Sequence, residues 1–336
     1  MNVQPKDGSA VAATPQPLLS VRGLVTRFRT ERGTVAAVDD VSFDVAAGET
    51  LASVGESGSG KSVTALSILR LIPNPPGRIE GGQIMFGGRD LLRLSDAEMR
   101  DLRGNRIAMI FQEPMSSLNP ALTVGMQVGE PINQHRRLPW SAALAKAREL
   151  LGAVRMSDAD ARARAYPHQF SGGMRQRAMI AMALACEPQL IIADEPTTAL
   201  DVTVQAQILD LLQDLAKGVN SALILITHDL GVVARYADRV VVMYAGRVVE
   251  QAPAHDLYAR PRHPYTRGLM ASVPRLDGDT GKRLVPIEGQ PPNLAALPLG
   301  CAFAARCSDA VDACRRTRPT LRAISAQHQV ACILES

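Results

Sequence analysis

The sequence predicts an α/β fold with a central, largely parallel β-sheet covered by helices. Leu190–Ala193 and Ala222–Thr227 are continuous apolar runs of strand length, and Thr50–Val54 is a short buried strand that leads into a glycine-rich turn. Such runs are typical of strands with both faces covered. Lys61–Leu71 and Val204–Ala216 have helical character and alternate with the strands. This alternation is the pattern of an α/β domain.

Further segments predict two strands before this core and a helix within it. Leu18–Phe28 shows a partial alternation of apolar and polar residues, and Val35–Val45 is also β-like. A period of two indicates a strand with one covered face. Ala142–Leu151 repeats its apolar residues at helical spacing, so we expect a helix there.

Length and composition limit the class of protein. The chain has 336 residues, of which 46% are hydrophobic and 21% charged, and its net charge is +4. So weak a positive charge does not indicate a nucleic-acid partner. No apolar run reaches the roughly 18 residues of a membrane-spanning helix, and the N-terminus lacks the apolar centre of a signal peptide. We therefore expect a protein that folds in the cytoplasm, with residues 1–17 as a flexible tail.

The composition changes near residue 260. Proline and arginine become frequent from there on, and four of the five cysteines lie after position 300. A shift of this kind marks a candidate domain boundary, and the length is that of about two domains. The sequence therefore predicts a main domain over residues 18–260 and a small cysteine-containing extension over residues 261–336.

A phosphate-binding loop follows the first buried strand. It reads Gly55-Glu56-Ser57-Gly58-Ser59-Gly60-Lys61-Ser62 and fits G-x-x-x-x-G-K-S/T. The glycines let successive N–H groups face an anion, and the following helix adds its positive N-terminal end. A strand before and a helix after are the context that this motif requires. We expect Lys61 to reach the β- and γ-phosphates of a nucleotide and Ser62 to offer its hydroxyl to Mg²⁺.

Two acidic residues stand at the end of another buried strand. Leu190–Ala193 delivers Asp194 and Glu195 to its carboxyl end, where ligands of open α/β sheets bind. Asp194 is predicted to hold Mg²⁺, directly or through water. Glu195 is predicted to act as the general base that polarises the attacking water.

Other motifs narrow the class of nucleotide-binding protein. The segment Gln169–Arg177 contains Phe170-Ser171-Gly172-Gly173-Met174 and resembles the LSGGQ signature of ABC ATPases, with departures at Phe170 and Met174. The Ser-Gly-Gly core opens a helix and offers a hydroxyl and free N–H groups to an anion. Family landmarks stand in the family's order: the Q-loop Gln112, the D-loop Ala199-Leu200-Asp201 and the switch histidine His228. The resemblance covers about Leu18 to Tyr258.

The resemblance implies a P-loop NTPase of the ABC nucleotide-binding type. Its RecA-like core would carry a helical subdomain over about residues 113–182. Two such cassettes would close head to tail around two ATP molecules, so that Ser171, Gly172 and Gly173 bind the γ-phosphate held by the opposite subunit. By the same resemblance, Gln112 lies near Mg²⁺ and the attacking water, and His228 contacts the γ-phosphate.

Nearly the whole chain resembles the ATP-binding subunits of oligopeptide and dipeptide importers. The resemblance is carried by Phe111–Pro120, Asp194–Gln207, His263–Thr266, Gly289–Asn293 and the late cysteines. It implies a second, related cassette as partner in a heterodimer, two transmembrane permease subunits and an extracytoplasmic peptide-binding protein. The chain would then lie at the cytoplasmic face of the inner membrane. Relatives import nickel or glutathione, so the cargo stays open.

Two other classes of ABC protein fit less well. A soluble ABC ATPase acting on nucleic acid usually has two cassettes or large insertions, and this chain has one cassette and a mild charge. An exporter cassette would lack the C-terminal extension of the peptide importers.

The late cysteines predict a metal centre. Five, six and seventeen residues separate Cys301, Cys307, Cys314 and Cys332 in turn. Four cysteines can complete a tetrahedral thiolate set, although this spacing lacks the pairs of common zinc ribbons and differs from the ferredoxin run. A 4Fe–4S cluster, a zinc ion and free structural thiols all remain open on spacing. The family resemblance favours the cluster, since relatives carry one on four such cysteines. Cys186, in an apolar helix, is predicted to be a small core residue.

Overall fold

The computed structural model describes residues 16–31, 33–198, 200–272 and 286–335. The first fifteen residues of the predicted tail therefore lie outside the described part of the chain. The strands follow in chain order: β1 Leu19–Thr30, β2 Gly33–Val45, β3 Thr50–Val54, β4 Gly77–Phe86, β5 Arg89–Asp90, β6 Ile107–Ile110, β7 Leu190–Asp194, β8 Ala222–Ile226, β9 Arg239–Tyr244, β10 Arg247–Pro253, β11 Arg322–Ala323 and β12 Gln329–Val330.

The helices lie mostly between these strands. In chain order they are α1 Lys61–Ile68, α2 Asp96–Leu102, α3 Pro114–Ser117, α4 Val124–Arg136, α5 Trp140–Ala153, α6 Ala159–Arg164, α7 Gly172–Leu184, α8 Val202–Gly218, α9 Leu230–Tyr236, α10 Ala254–Ala259, α11 Pro264–Ala271 and α12 Asp312–Arg316. Within the described ranges, none is both long and apolar enough to cross a lipid bilayer.

The larger sheet has a parallel centre. Its strand order is β11-β12-β10-β9-β3-β8-β7-β6, and the strands from β9 to β6 run parallel. Every residue of β3, β7 and β8 is buried, so the predicted buried strands are confirmed. Because parallel strands end at the same edge of a sheet, the residues that follow β3, β7 and β8 come together there.

A smaller antiparallel sheet covers part of the larger one. Its order is β2-β1-β4-β5, and β1 and β2 confirm the two strands predicted before the core. Apolar side chains from both sheets form one cluster, in which Leu19 and Phe86 pack with Leu51, Ile192 and Ile224. The two sheets therefore share a hydrophobic core, which holds the smaller sheet against the parallel centre of the larger one.

The described residues between β6 and β7 form helices. These are α3 to α7, and they occupy the stretch for which a helical subdomain over residues 113–182 was predicted. Val128, Ala147, Leu151 and Phe170 pack together there. The same cluster continues into α8, whose Leu211 and Leu212 are buried, so these helices share a core with the sheet. The bounds of the subdomain stay a prediction.

The C-terminal extension adds strands to the sheet of the main domain. β12 pairs with β10, with Val330 opposite Glu250, and β11 pairs with β12. The Glu250 carboxylate is fully buried. It accepts hydrogen bonds from the Arg262 and His263 amides, at 2.8 and 2.9 Å, and lies 2.7 Å from His328 Nε2. A buried carboxylate needs such partners, so Glu250 ties both ends of the extension to the main domain.

A buried histidine lies at this junction. His263 is 1% exposed, and its Nδ1 accepts a hydrogen bond from the Tyr265 amide at 3.1 Å, which caps α11. Burial lowers the pKa of His263 to about 4, with a smaller contribution from Arg267. The folded protein therefore keeps this ring neutral at a pH where an exposed histidine is protonated.

We expect the stability of the protein to fall as pH drops below neutral. The unfolded chain protonates His263 near its ordinary pKa of about 6.5, whereas the folded chain does so only near 4. The free energy of unfolding attributable to His263 should fall by about 3 kcal/mol over that window. His263→Asn keeps an acceptor for the Tyr265 amide and should flatten the slope measured by urea denaturation at successive pH values.

His255→Asn is the matched control, because His255 is a 91% exposed histidine. It should keep the wild-type slope. An unchanged slope in His263→Asn would show that the folded protein does not hold His263 neutral.

Candidate functional site

The loop after β3 curls tightly because of its glycines. Gly55 and Gly60 have φ of 150° and 103°. A Cβ at Gly55 would lie 2.2 Å from the Met243 carbonyl oxygen, and one at Gly60 would lie 2.5 Å from the Ala37 carbonyl oxygen. Only glycine tolerates both this conformation and this contact. The strand, loop and helix thus follow one another as the motif predicts.

The Lys61 ammonium is enclosed by this loop. Lys61 is 6% exposed, and its Nζ donates to the carbonyl oxygens of Gly55 and Glu56 at 2.7 and 3.0 Å and to Ser59 Oγ at 3.3 Å. Burial lowers the pKa of Lys61, and the carboxylates of Glu195, Asp194 and Glu56 counteract that shift. The ammonium is therefore positioned where an anion in the loop would pair with it.

Oxygen ligands meet between α1 and β7. Ser62 Oγ donates to Asp194 Oδ1 at 2.9 Å, and Asp194 is buried. Burial raises the pKa of Asp194, although the hydrogen bond from Ser62 opposes that shift. A hydroxyl beside a carboxylate is the kind of oxygen pair that Mg²⁺ prefers.

The Glu195 carboxylate lies at the centre of a polar cluster. Its Oε2 accepts from Gln112 Nε2 at 3.0 Å and from Thr198 Oγ1 at 2.9 Å. Its Oε1 lies 3.3 Å from His228 Nδ1. The structure therefore brings together Gln112, Glu195 and His228, which are 83 and 33 positions apart in the sequence. Thr198 was missed, since a threonine beside a predicted base has no signal of its own.

The signature segment lies apart from this cluster. Ser171 caps α7 by accepting the Met174 amide at 3.3 Å, as a helix-opening serine should. A Cβ placed on Gly172 would lie 3.4 Å from the Leu200 side chain, and one placed on Gly173 would lie 3.2 Å from the Val204 side chain. Among the described residues, no hydrogen bond joins Ser171, Gly172 or Gly173 to the phosphate loop.

The predicted D-loop runs between the Glu195 cluster and α8. Asp201 caps α8 by accepting the Val204 amide at 2.9 Å, and the Leu200 amide donates to the Thr197 carbonyl at 3.1 Å. Ala199 lies outside the described residues. The described part of this loop therefore lies beside the signature segment, because Leu200 and Val204 flank Gly172 and Gly173.

The extension also reaches the phosphate loop. The Glu56 amide donates to Tyr265 Oη at 2.8 Å, and the Glu56 carboxylate accepts from both terminal nitrogens of Arg306 at 2.6 and 2.9 Å. Neither Tyr265 nor Arg306 was predicted as a site residue. Tyr265 belongs to a stretch noted only for its resemblance to importers, and Arg306 carries no local pattern.

The four late cysteines lie close together in the extension. Cys314 and Cys332 are buried, and the Cys301 amide donates to the Cys314 carbonyl at 2.8 Å. Burial raises the pKa of the Cys301 thiol, and the thiols of Cys314, Cys332 and Cys307 raise it further. Over the described ranges, no group of three or more His, Cys, Asp or Glu side chains is arranged to hold a metal ion. The thiols are thus gathered but do not form a coordination sphere.

The fifth cysteine lies outside this group. Cys186 is buried in the turn that follows α7, so the prediction that it lies within a helix is wrong, and its thiol donates to the Pro131 carbonyl at 3.4 Å. Burial raises the pKa of this thiol. It packs as a small core residue, as the sequence predicts.

Two family profiles match the chain. The profile "ABC transporter" covers residues 38–198, which include the phosphate loop, the signature segment and Glu195. The profile "Oligopeptide/dipeptide transporter, C-terminal region" covers residues 249–314, which include three of the four late cysteines.

Curated relatives match over almost their full length. The chain is 56% identical to a probable peptide ABC transporter ATP-binding protein of Sinorhizobium fredii, covering 94% of each chain. It is 52% identical to the dipeptide transport ATP-binding protein DppD of Bacillus subtilis, covering 95% of each.

A solved structure matches the main part of the fold. It is the ATP-binding cassette MJ0796, in a dimeric post-hydrolysis state bound to ADP and Pi, with 27% identity and a TM-score of 0.63 over 70% of this chain and 98% of that one. Fold, motif order and full-length relatives agree, and the chain belongs to the ATP-binding subunits of the oligopeptide/dipeptide ABC transporter family.

Proposed function

We propose that this chain binds ATP and hydrolyses it to power the import of oligopeptides or dipeptides through a membrane transporter. The observation that carries the proposal is the Glu195 carboxylate. It lies in a cluster with Gln112 and His228 and also acts electrostatically on the Lys61 ammonium. Phosphoryl transfer to water requires a base, polar groups that position the reactants and a cation that offsets the phosphate charge, and these residues supply all three.

The phosphate loop is the proposed binding site for the β- and γ-phosphates. Its members are Gly55, Glu56, Ser57, Gly58, Ser59, Gly60, Lys61 and Ser62. Lys61 would exchange its loop acceptors for phosphate oxygens, since charge-assisted hydrogen bonds to phosphate are stronger than those to carbonyls. Ser62, Asp194 and Gln112 would hold Mg²⁺, whose charge, when bound, offsets that of the phosphate oxygens.

Glu195 is the proposed general base. Its carboxylate would take a proton from water as the water oxygen attacks the γ-phosphorus, and the bond from that phosphorus to the bridging oxygen of ADP would break, which releases ADP and phosphate. Thr198 and Gln112 donate to one carboxylate oxygen and so fix its orientation. His228, next to the other oxygen, would contact the γ-phosphate. Such positioning and charge stabilisation account for most of the catalysis in phosphoryl transfer.

We propose that each complete site needs two subunits. Ser171, Gly172 and Gly173 would bind the γ-phosphate of the opposite subunit. This agrees with the fact that, in the part of the chain that the structure describes, they form no hydrogen bond to the phosphate loop of their own subunit. The capped N-terminus of α7 supports this role, because its free amides suit an anion. The partner is proposed to be a related cassette in a heterodimer. The similar cassette MJ0796 is described as dimeric with ADP and Pi.

The complete transporter is proposed to contain two permease subunits and an extracytoplasmic peptide-binding protein. The chain would lie at the cytoplasmic face of the inner membrane, with no nucleic acid as partner. Similar proteins named for peptide and dipeptide transport support a peptide cargo over nickel or glutathione. We also propose that residues 18–260 form the ATPase domain and residues 261–336 the extension, after a tail over residues 1–17.

Glu195→Gln should trap ATP in the transporter. The amide cannot accept the proton of water, so ATP hydrolysis should fall by about a hundredfold or more while ATP stays bound. Phosphate release and retained radiolabelled ATP would be measured in the complete complex. Glu187→Gln is the control, since Glu187 is exposed, and it should hydrolyse ATP normally. Normal turnover by Glu195→Gln would contradict the proposed role.

Peptide uptake by the same complex distinguishes the possible cargoes. The wild-type complex in vesicles should take up labelled dipeptides or oligopeptides with ATP and lose that uptake in Glu195→Gln. Uptake of nickel or glutathione in place of peptides would overturn the proposed cargo and leave the ATPase role intact.

We further propose that Cys301, Cys307, Cys314 and Cys332 bind a 4Fe–4S cluster. Four thiols are the donor set that such a cluster needs. The thiols of Cys314 and Cys332 raise the pKa of both Cys301 and Cys307, which supports their closeness in the extension. A cluster bonds each thiolate to a different iron, so its thiols stand further apart than those around one ion. It would act as a structural link within the extension.

Anaerobically purified protein should then contain about four irons per chain and absorb broadly near roughly 400 nm. Cys314→Ser should lower the iron content and the melting temperature, because loss of one ligand weakens the link between segments. Cys186→Ser is the matched control and should keep the full iron content. Colourless protein with stoichiometric zinc, or with no metal, would reject the cluster.

A further inference from the structure

We infer that the C-terminal extension positions the phosphate loop, with Arg306 and Tyr265 as the positioning residues that act through Glu56. This inference rests on the proposed ATPase function. The starting observation is a carboxylate inside a loop that would bind the negative phosphates of ATP. An unpaired Glu56 would repel them, so its partners matter for binding.

Arg306 neutralises that carboxylate. Its guanidinium forms a two-pronged pair with Glu56 at 2.6 and 2.9 Å, and its side chain is only 5% exposed. Such bidentate pairs add geometric specificity to charge neutralisation. Because the guanidinium is so little exposed, solvent screens this ion pair less than it screens the ion pairs whose two side chains are both exposed.

Arg306 is itself held in place by the extension and the main domain. Its Nε donates to the Glu288 carbonyl at 3.0 Å and one terminal nitrogen to the Ile287 carbonyl at 3.3 Å. The guanidinium also lies 5.9 Å from the ring centres of both Tyr244 and Phe303. The pKa of the Arg306 guanidinium is raised, chiefly by its hydrogen bonds to Glu56. The guanidinium is thus a fixed charge presented to the loop.

Tyr265 holds the backbone of the same residue. Its hydroxyl accepts the Glu56 amide at 2.8 Å, and the side chain is fully buried. The ring packs against Tyr244 and Phe303, with centres 4.6 and 5.4 Å apart. Tyr265 therefore has a single orientation, and its hydroxyl holds the first turn of the loop.

Glu56 connects these contacts to the predicted ATP-binding atoms. Its carbonyl oxygen accepts from Lys61 Nζ at 3.0 Å and from the Ser59 amide at 3.2 Å. The extension thus holds the amide and the side chain of Glu56 while the carbonyl faces the loop. A loop held in its binding conformation loses less entropy when the ligand binds. Both this ordering and the charge pairing should raise the affinity for ATP.

The test measures MgATP binding to the full chain. Arg306→Met should weaken binding by roughly 10- to 100-fold, because the half-buried Glu56 carboxylate would then lie near the phosphates without a counter-ion. Tyr265→Phe removes one acceptor and should weaken binding about fivefold. In the complete transporter, KM for ATP should rise by similar factors while kcat changes little. The loss in Arg306→Met should be larger for ATP than for ADP and should shrink at high salt.

A compensating change distinguishes repulsion from general damage. Glu56→Gln in the Arg306→Met background removes the unpaired charge and should recover most of the ATP affinity. Arg318→Met is the matched control: Arg318 also links the extension to the main domain, 3.3 Å from Asp39 on β2, and should bind ATP as the wild type does. Circular dichroism checks that each variant is folded. If Arg306→Met is unfolded, Arg306→Gln, which also removes the charge, and Tyr265→Phe carry the same test.

The outcomes separate this inference from the proposed function. A wild-type chain that does not bind MgATP would overturn the proposed function itself. Equal affinity of the wild type and a folded Arg306→Met or Arg306→Gln variant would overturn the inference alone. Failure of the double variant to recover affinity would overturn the charge-pairing step.

Discussion

The buried ammonium group of Lys61 is the constraint around which the site is built. A charge with so little exposure must have hydrogen-bond acceptors close by, and the curled loop supplies them from Gly55, Glu56 and Ser59. The carboxylates at the end of β7 lie close enough to favour its charged form. One cation thus ties the loop after β3 to the end of β7, and through Glu56 it is connected to the extension.

The local parts of this arrangement could be predicted from sequence. The phosphate loop is a continuous motif between a strand and a helix, and β7 begins with the apolar run Leu190–Ala193, so both carry their own signals. Gln112 and His228 have no such signal and were found through the order of family motifs. Thr198 and Arg306 could not be found, since a single polar residue shows its role only when the fold brings its partner near.

The extension shows the same limit at the level of the fold. Its change in composition was visible, but its attachment to the main sheet was not, because β11 and β12 are two residues long and carry no periodicity. Their position depends on Glu250, whose buried carboxylate binds segments on both sides of the undescribed stretch. The main domain and the extension thus differ in composition although they contribute strands to the same sheet.

The pair between Arg306 and Glu56 spans 250 positions of the chain. A chain shortened before Pro264 would keep all eight residues of the phosphate loop and lose both side chains that hold Glu56. Transplanting only residues 18–260 into another transporter would therefore leave an acidic loop without its counter-ion, unless the recipient supplied an arginine at that place. For chimeric transporters, the transplanted segment should therefore extend at least through β12, because both Arg306 and His328 contact the main domain far beyond the change in composition near residue 260.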